Sequence, residues 1–383
     1  MTGPLGRLLI VQTLLLSFFV SVLVTSWVVH VAQGNAHFVL DHDVSGPQKF
    51  HVRPVPRVGG VGIVSGIAVS ALFLAWVDTA SFRVLGLLLL CAVPAFGAGL
   101  IEDLTKRISP AQRLSATAVS ASIAFWVLSA QIRRSDIPGL DDVLVFGAVS
   151  LLVTLVAVAG IANSVNIIDG FNGLASMCAM IMMAALAYVA YQTGDQVIGV
   201  LALAGLGAVL GFFIWNFPGG LIFLGDGGAY FLGFYVAELS ILLLVRNPEV
   251  SPLFPLLVCV YPVFETLFSM YRRRYLRAVP ASMPDGIHLH SLIYRRVLRW
   301  AVGDRSAKAL TRRNSMTSPF LWMLCMLSVV PAVLFYRHTS VMAASLVLFG
   351  FSYIALYWRI VRFNAPRWLR LMASPARSRR GRT

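Results

Sequence analysis

Apolar residues in this chain gather into long continuous runs, and polar residues are confined to the gaps between them. The runs cover 8–33, 58–77, 84–101, 114–132, 143–162, 173–191, 196–215, 229–245, 252–271, 318–336 and 340–358, eleven in all. A helix rising 1.5 Å per residue needs roughly 20 apolar residues to cross a bilayer core of about 30 Å. Inside lipid, only helices and closed barrels satisfy every backbone N–H and C=O. The pattern therefore predicts an all-α polytopic integral membrane protein with about 11 transmembrane helices. Glycine is frequent before residue 84 and within 196–215, where it permits close helix packing.

Composition agrees with this reading. Only 12% of the 383 residues are charged, against about 25% in an ordinary soluble domain. That excludes a disordered chain and argues against a soluble multidomain enzyme. The net charge of +15 gains meaning from its placement. With the N-terminus outside, the segments 34–57, 102–113, 163–172, 216–228, 272–317 and 359–383 face inward. They hold 25 of the 31 Lys and Arg residues, so the positive-inside rule assigns the N-terminus outside and the C-terminus inside. Arg7 ahead of the first run also suggests a secretory signal, but the run is too long for a typical signal core. Cys91, Cys178, Cys259 and Cys325 all lie in apolar runs and read as buried hydrophobes. No fixed-period repeat is present, and the longest loop, 272–317, is too short for a second domain. One membrane domain spanning 1–360 is expected, followed by a basic tail, 361–383, that is disordered and drawn to anionic lipid headgroups. No nucleic-acid partner is expected.

The scarce acids carry more information. Asp78, Asp136, Asp141, Asp142, Asp195 and Glu249 fall in outer loops and read as solvated. Glu238 and Glu265 lie within runs. Glu102, Asp103, Asp169 and Asp226 sit at inner helix ends, where oxygen ligands invite a hard divalent cation. Glu102 and Asp103 are adjacent, about 100° apart on a helix, and cannot both face one spot; one is expected at the site and the other paired with Lys106 or Arg107. Asn163, Asn166 and Asp169 recur every three residues on one helix face, followed by Gly170, Asn172 and Gly173. Such a polar face at the end of a membrane helix is costly unless it binds something. Phe223, Gly225 and Asp226 open the eighth run in a glycine-rich bend suited to phosphate oxygens, and Asp226 reads as an N-cap as well as a Mg²⁺ ligand. Asp285, His288 and His290 lie in the basic 272–317 loop and suit phosphate contact or proton handling better than zinc. Lys49, His51, Arg53 and Arg57 place positive charge in the first inner loop.

In order, these motifs resemble the polyprenyl-phosphate N-acetylhexosamine-1-phosphate transferases over residues 43–300. The matching residues are Lys49, His51, Pro54, Pro56, Gly59 and Gly60 in the first loop, then the Glu102–Asp103 pair. Asn163-x-x-Asn166-x-x-Asp169-Gly170-x-x-Gly173-Leu174, Phe223-x-Gly225-Asp226 and Pro284-Asp285-x-x-His288-x-His290 follow. The resemblance implies transfer of a sugar 1-phosphate from a UDP-N-acetyl-amino sugar to a polyprenyl phosphate such as undecaprenyl phosphate, with release of UMP, at the cytoplasmic face of a bacterial inner membrane. It implies Mg²⁺, with Mn²⁺ as the alternative, held by Asp226 and Asp103. Catalytic roles fall to Asp103, Glu102, Asp169, Lys49 and His288. Substrate contacts fall to Asn163, Asn166, Asn172, Lys106, Phe223, Gly225, His290, Asp285 and His51. The Pro284-Asp285…His-x-His form favours the O-antigen-initiating branch over peptidoglycan lipid I synthesis, and homodimer assembly is left open. Glu102 and Asn172 stand where the family usually has Asp, and Gly286 where many O-antigen members have Arg, departures compatible with a different sugar such as a 6-deoxy amino sugar. The rival reading is a secondary transporter, for which broken helices and the intramembrane Glu238 and Glu265 would speak.

Overall fold

The structure, a computed structural model, describes residues 4–34, 55–276, 287–298 and 306–362. All eleven apolar runs become helix. The elements are α1 (Pro4–Gly34), α2 (Gly59–Val77), α3 (Thr79–Thr105), α4 (Pro110–Val127), the short α5 (Leu140–Leu144), α6 (Gly147–Ile168), α7 (Leu174–Thr193), α8 (Gln196–Asn216) and α9 (Gly225–Arg246). They continue through α10 (Leu253–Val258), α11 (Val260–Tyr271), the one-turn α12 (Leu289–Leu292), α13 (Ala307–Leu334) and α14 (Thr339–Val361). Short π-helical segments extend α11 and α12. Among the described residues, nine helices are long and apolar enough to cross a membrane, so the protein is an all-α, multi-pass membrane protein.

Two of the eleven runs fall short of that standard for local reasons. The opening turn of α4 carries Gln112 and Arg113, and the helix stops at Val127. The run 252–271 breaks between α10 and α11 at Cys259. Pro262 lacks the N–H that would bond the Val258 carbonyl, and its ring crowds that carbonyl. The outer acids are also less solvated than expected. Asp78 caps α3 through Ser81, whose hydroxyl donates to it at 2.6 Å. Asp195 caps α8 at Ile198 and pairs with Arg246 at 2.7 Å. The four cysteines are buried and free.

Packing in lipid relies on close backbone approach between small residues, because apolar burial gains little against lipid tails. On α1, Thr13, Ser17, Ser21 and Thr25 form a four-residue stripe, each fully buried. The stripe meets glycines of α2 and α8. A Cβ on Gly66 would lie 2.5 Å from the Ser17 carbonyl oxygen, and one on Gly207 only 2.3 Å from that of Leu14. These contacts lock α1 onto α2 and α8. At the centre, α9 is buried from Gly227 to Leu244 with no exposed turn. α2, α3, α6, α7 and α8 all pack against it, so the first turn of α9 lies where neighbouring helix ends converge.

The prediction from this packing concerns Gly207. Gly207→Leu is expected to lower the yield of folded, detergent-extracted protein severalfold and to lower its Tm. Gly97→Leu, at a position with nothing within 4 Å of an added Cβ, is expected to match wild type. Equal yields and Tm values for the two variants would contradict the α1–α8 contact.

Candidate active site

Asp103 is the hinge of the site. It lies on the last turn of α3, is 5% exposed, and points at the head of α9. Its Oδ1 accepts the N–H of Asp226 and its Oδ2 the N–H of Gly227, each at 2.9 Å. The first N–H groups of a helix have no partner within the helix and carry its positive dipole end, so a carboxylate there is favoured twice. The expected N-cap role of Asp226 thus passes to a residue 123 positions earlier in the chain. Both Asp103 oxygens are engaged by backbone, which suits a brace for the α9 head better than the metal ligand that the resemblance implies.

Asp226 is released for other work. Its Oδ1 accepts from Asn166 Nδ2 at 2.7 Å, and its Oδ2 pairs with the Arg113 guanidinium. Arg113, on the first turn of α4, lies 5.6 Å from the Tyr230 ring centroid, and the Tyr230 hydroxyl donates to Asn163 at 3.2 Å. Asn163 and Asn166 therefore do share a face turned toward α9. The preceding turn is set by Gly225, at φ +77°. A Cβ there would lie 1.8 Å from the Arg57 carbonyl oxygen and 2.6 Å from Asp103 Oδ2. Phe223 fixes the other side through its backbone: its carbonyl accepts the N–H of Gly59, and its N–H donates to the Pro56 carbonyl. Arg57 is thereby held close enough to act electrostatically on Asp103 and Asp169.

Asp169 ends α6 as its C-cap residue. Burial pushes its carboxyl up to about 7, with Arg57 opposing and Asp226 and Asp103 adding to the rise. Asp103, Asp169 and Asp226 thus face two guanidiniums, Arg57 and Arg113. Next to Asp169, a Cβ on Gly170 would lie 3.7 Å from His290 Nε2. The His290 ring packs on Phe171 at 5.3 Å and stacks on His288 at 5.1 Å. His288 is in extended conformation, as a shared His-x-His face requires. The motifs at 163–173, 223–226 and 288–290 therefore meet at one end of the bundle.

Other expected site residues stand elsewhere. Glu102 turns away and accepts the N–H of Ile108 at 2.7 Å, closing the α3–α4 loop. Lys106 is exposed at the left-handed C-cap of α3. Asn172 is 5% exposed and structural. Its N–H donates to Asn314 Oδ1, its Nδ2 to the Pro218 carbonyl and Ser315 Oγ, and its carbonyl accepts from Ser318 of α13. A carboxylate at this position could not donate those amide bonds, which accounts for Asn where Asp was expected. Lys49, His51 and Asp285 lie outside the described residues, as do Arg53 and Gly286. Arg113 is the site residue that sequence reasoning missed: its one cue was a capping box at Ser109–Gln112, which starts a helix at the inner face with an arginine in its first turn. No group of three or more His, Cys, Asp or Glu suited to a metal occurs among the described residues. Glu238 is buried in α9 with both oxygens unpartnered, and Glu265 reaches the His288 segment, so the two do not form the midplane pair a transporter would use.

Residues 85–244, which contain Asp103, Arg113, the Asn163–Gly173 motif and Asp226, match the model of glycosyl transferase family 4. Over that stretch the chain is similar to this family. A Bacillus subtilis protein described as a probable undecaprenyl-phosphate N-acetylglucosaminyl 1-phosphate transferase is 27% identical over 284 residues, covering 72% of this chain and 76% of its own length. An undecaprenyl-phosphate alpha-N-acetylglucosaminyl 1-phosphate transferase of Thermotoga maritima is 31% identical over 93 residues, 24% of this chain and 30% of that protein.

The Asp169 carboxyl yields a test by linkage. Its folded-state value of about 7 lies above the ordinary 3.9 of an unfolded Asp. Ionising it therefore destabilises the fold, with no cost below about pH 4 and the full cost above about pH 7. In metal-free buffer, Asp169→Asn is expected to raise Tm at pH 8 and to lose that gain by pH 4–5. A Tm difference independent of pH would show that Asp169 is not held in this way.

Proposed function

We propose that this protein transfers a sugar 1-phosphate from a UDP-N-acetyl-amino sugar to a polyprenyl phosphate, releasing UMP and leaving a polyprenyl diphosphate sugar. The observation that carries this reading is the set of three carboxylates and two guanidiniums gathered round the head of α9, at one end of a membrane bundle and beside a His-x-His segment. Both substrates are anions. One is anchored by an apolar chain, so the reaction belongs at a membrane face with fixed charges.

The bonds made and broken follow from the substrates. A phosphate oxygen of the lipid attacks the phosphorus that carries the sugar. The bond between that phosphorus and the bridging oxygen breaks, and UMP leaves with that oxygen and the electron pair. The lipid phosphate can be fully ionised near pH 7, so a strong general base is not required, and direct in-line attack suffices. Arg113 and Arg57 offset the charge that two anions bring together, and His288 and His290 lie where a phosphate beside Asp169–Gly170 would meet them. Lys49 and His51 would add positive charge from the first loop. Asn163 and Asn166 present amides for the nucleotide or sugar, with Asn166 also orienting Asp226.

The all-oxygen set fits Mg²⁺. Asp226 stands at a glycine-rich helix start, and Mg²⁺ is commonly held by one or two carboxylates plus substrate phosphates. Asp226 would hold the ion, which when bound neutralises diphosphate charge; Asp103 does not fit as a free ligand. The reading places the site on the cytoplasmic face of a bacterial inner membrane, with the N-terminus outside and the 361–383 tail on anionic lipid. It favours the start of an O-antigen or related envelope glycan.

Purified protein, polyprenyl phosphate, Mg²⁺ and a panel of UDP-amino sugars, scored by UMP release, test this function. Asp226→Asn is expected to cut Mg²⁺-dependent release at least about 100-fold while the protein still inserts and extracts as wild type does. Wild-type activity retained by Asp226→Asn would overturn the site assignment. No UMP release by wild type with any UDP-sugar would overturn the function.

A further inference from the structure

A second buried polar cluster lies behind the His-x-His segment and belongs to none of the groups described around α9. Glu265 of α11 is 1% exposed. Its Oε1 pairs with His288 Nδ1 at 2.9 Å and accepts the N–H of Leu289 at 3.1 Å. Its Oε2 accepts the hydroxyl of Tyr353, from α14, at 2.7 Å. Both carboxylate oxygens are thus directed by fixed donors, one of them on a different helix. Around this pair, His290 stacks on His288 at 5.1 Å. Arg272 contacts the Ile287 carbonyl and the Tyr357 hydroxyl, and the Glu265 carboxylate lies close enough to Tyr261 to act on it electrostatically.

A carboxylate can only accept, so the nitrogen that faces it must carry a proton. The pair therefore sets the tautomer: Nδ1 is protonated in every state, and Nε2 is the nitrogen whose proton comes and goes. We propose that Glu265, held by Tyr353, is a positioning residue that fixes His288 in this tautomer and in its orientation against His290, whose ring meets Gly170, an assignment that rests on the transferase reading above. Glu265 touches no reacting atom in this account; it acts only through His288. Carboxylates that orient a metal-bound histidine in this way are worth about 10- to 100-fold in metal affinity or activity, and a loss of that order is expected here.

The test compares wild type, Glu265→Gln, Tyr353→Phe, His288→Asn and the double variant Glu265→Gln/His288→Asn by UMP release across pH. The limb of the kcat/KM profile that disappears in His288→Asn belongs to His288. Glu265→Gln removes the anion, so that limb is expected to move to lower pH, with a loss of about 10- to 100-fold. Tyr353→Phe leaves the carboxylate charge less shared, so the same limb is expected to move to higher pH. In the His288→Asn background, Glu265→Gln is expected to cost no more than about twofold. Equal losses from Glu265→Gln in both backgrounds would make Glu265 merely structural and overturn the proposal, as would unshifted limbs in both single variants. If Glu265→Gln fails to fold, the Tyr353→Phe profile decides alone. A wild type that releases no UMP fails the transferase reading itself, an outcome distinct from each of these.

Discussion

The bonds from Asp103 to the first two N–H groups of α9 hold the rest of the site in place. α9 is the helix the bundle is built around, and its positive end would otherwise be buried with unsatisfied donors. A carboxylate from α3 satisfies them at 2.9 Å and so sets the distance and rotation between α3 and α9. Gly99 allows it, since a Cβ there would lie 2.6 Å from the Gly227 backbone. With the helix start capped from outside, the Asp226 side chain need not fold back on its own backbone. It can instead receive Asn166 from α6 and Arg113 from α4.

This arrangement also stores charge. Asp169 is held near neutrality by burial and by its acidic neighbours, and each guanidinium stands against a carboxylate. Such a cluster is costly in a bundle end and gains by exchanging internal pairs for external ones. An incoming anion can take the guanidiniums while a cation takes the carboxylates, so neither charge is left buried alone. The buried Arg113 Nε, without a hydrogen-bond partner, marks one end of that exchange.

The fold was largely legible because the lipid constraint is blunt: long apolar runs must be helices, and all eleven are. What failed to read through was local. Pro262 divides a run that hydropathy alone joins, and Gln112 and Arg113 make the first turn of α4 polar. The candidate site was legible wherever chemistry and periodicity coincide, as in Asn163, Asn166 and Asp169 on one face. It was illegible wherever the partner is distant in sequence. Nothing near Asp103 signals that it caps a helix beginning at Gly225, and nothing near Glu265 signals His288. Arg113 counted as one more inner-face positive charge until the structure set it against Asp226.

Asn172 shows how far the site's precision extends from the chemistry. Its backbone and side chain bond to Asn314, Ser315 and Ser318, and Trp322 donates to the neighbouring Gly173 carbonyl at 3.0 Å. All four partners lie on α13, beyond the 85–244 stretch that defines the family match. The loop carrying Asp169 is thus clamped by a helix outside the matched stretch, mostly through backbone groups of Asn172 and Gly173, with the Asn172 amide adding a bond to Ser315 that a carboxylate could not donate. An Asp at 172 would keep the backbone bonds and lose those that Nδ2 donates to Pro218 and Ser315. The residue type at this position therefore follows the neighbouring helix, and the departure from the family pattern at 172 speaks to how the Asp169 loop is held, while the identity of the sugar must be read from groups that reach it.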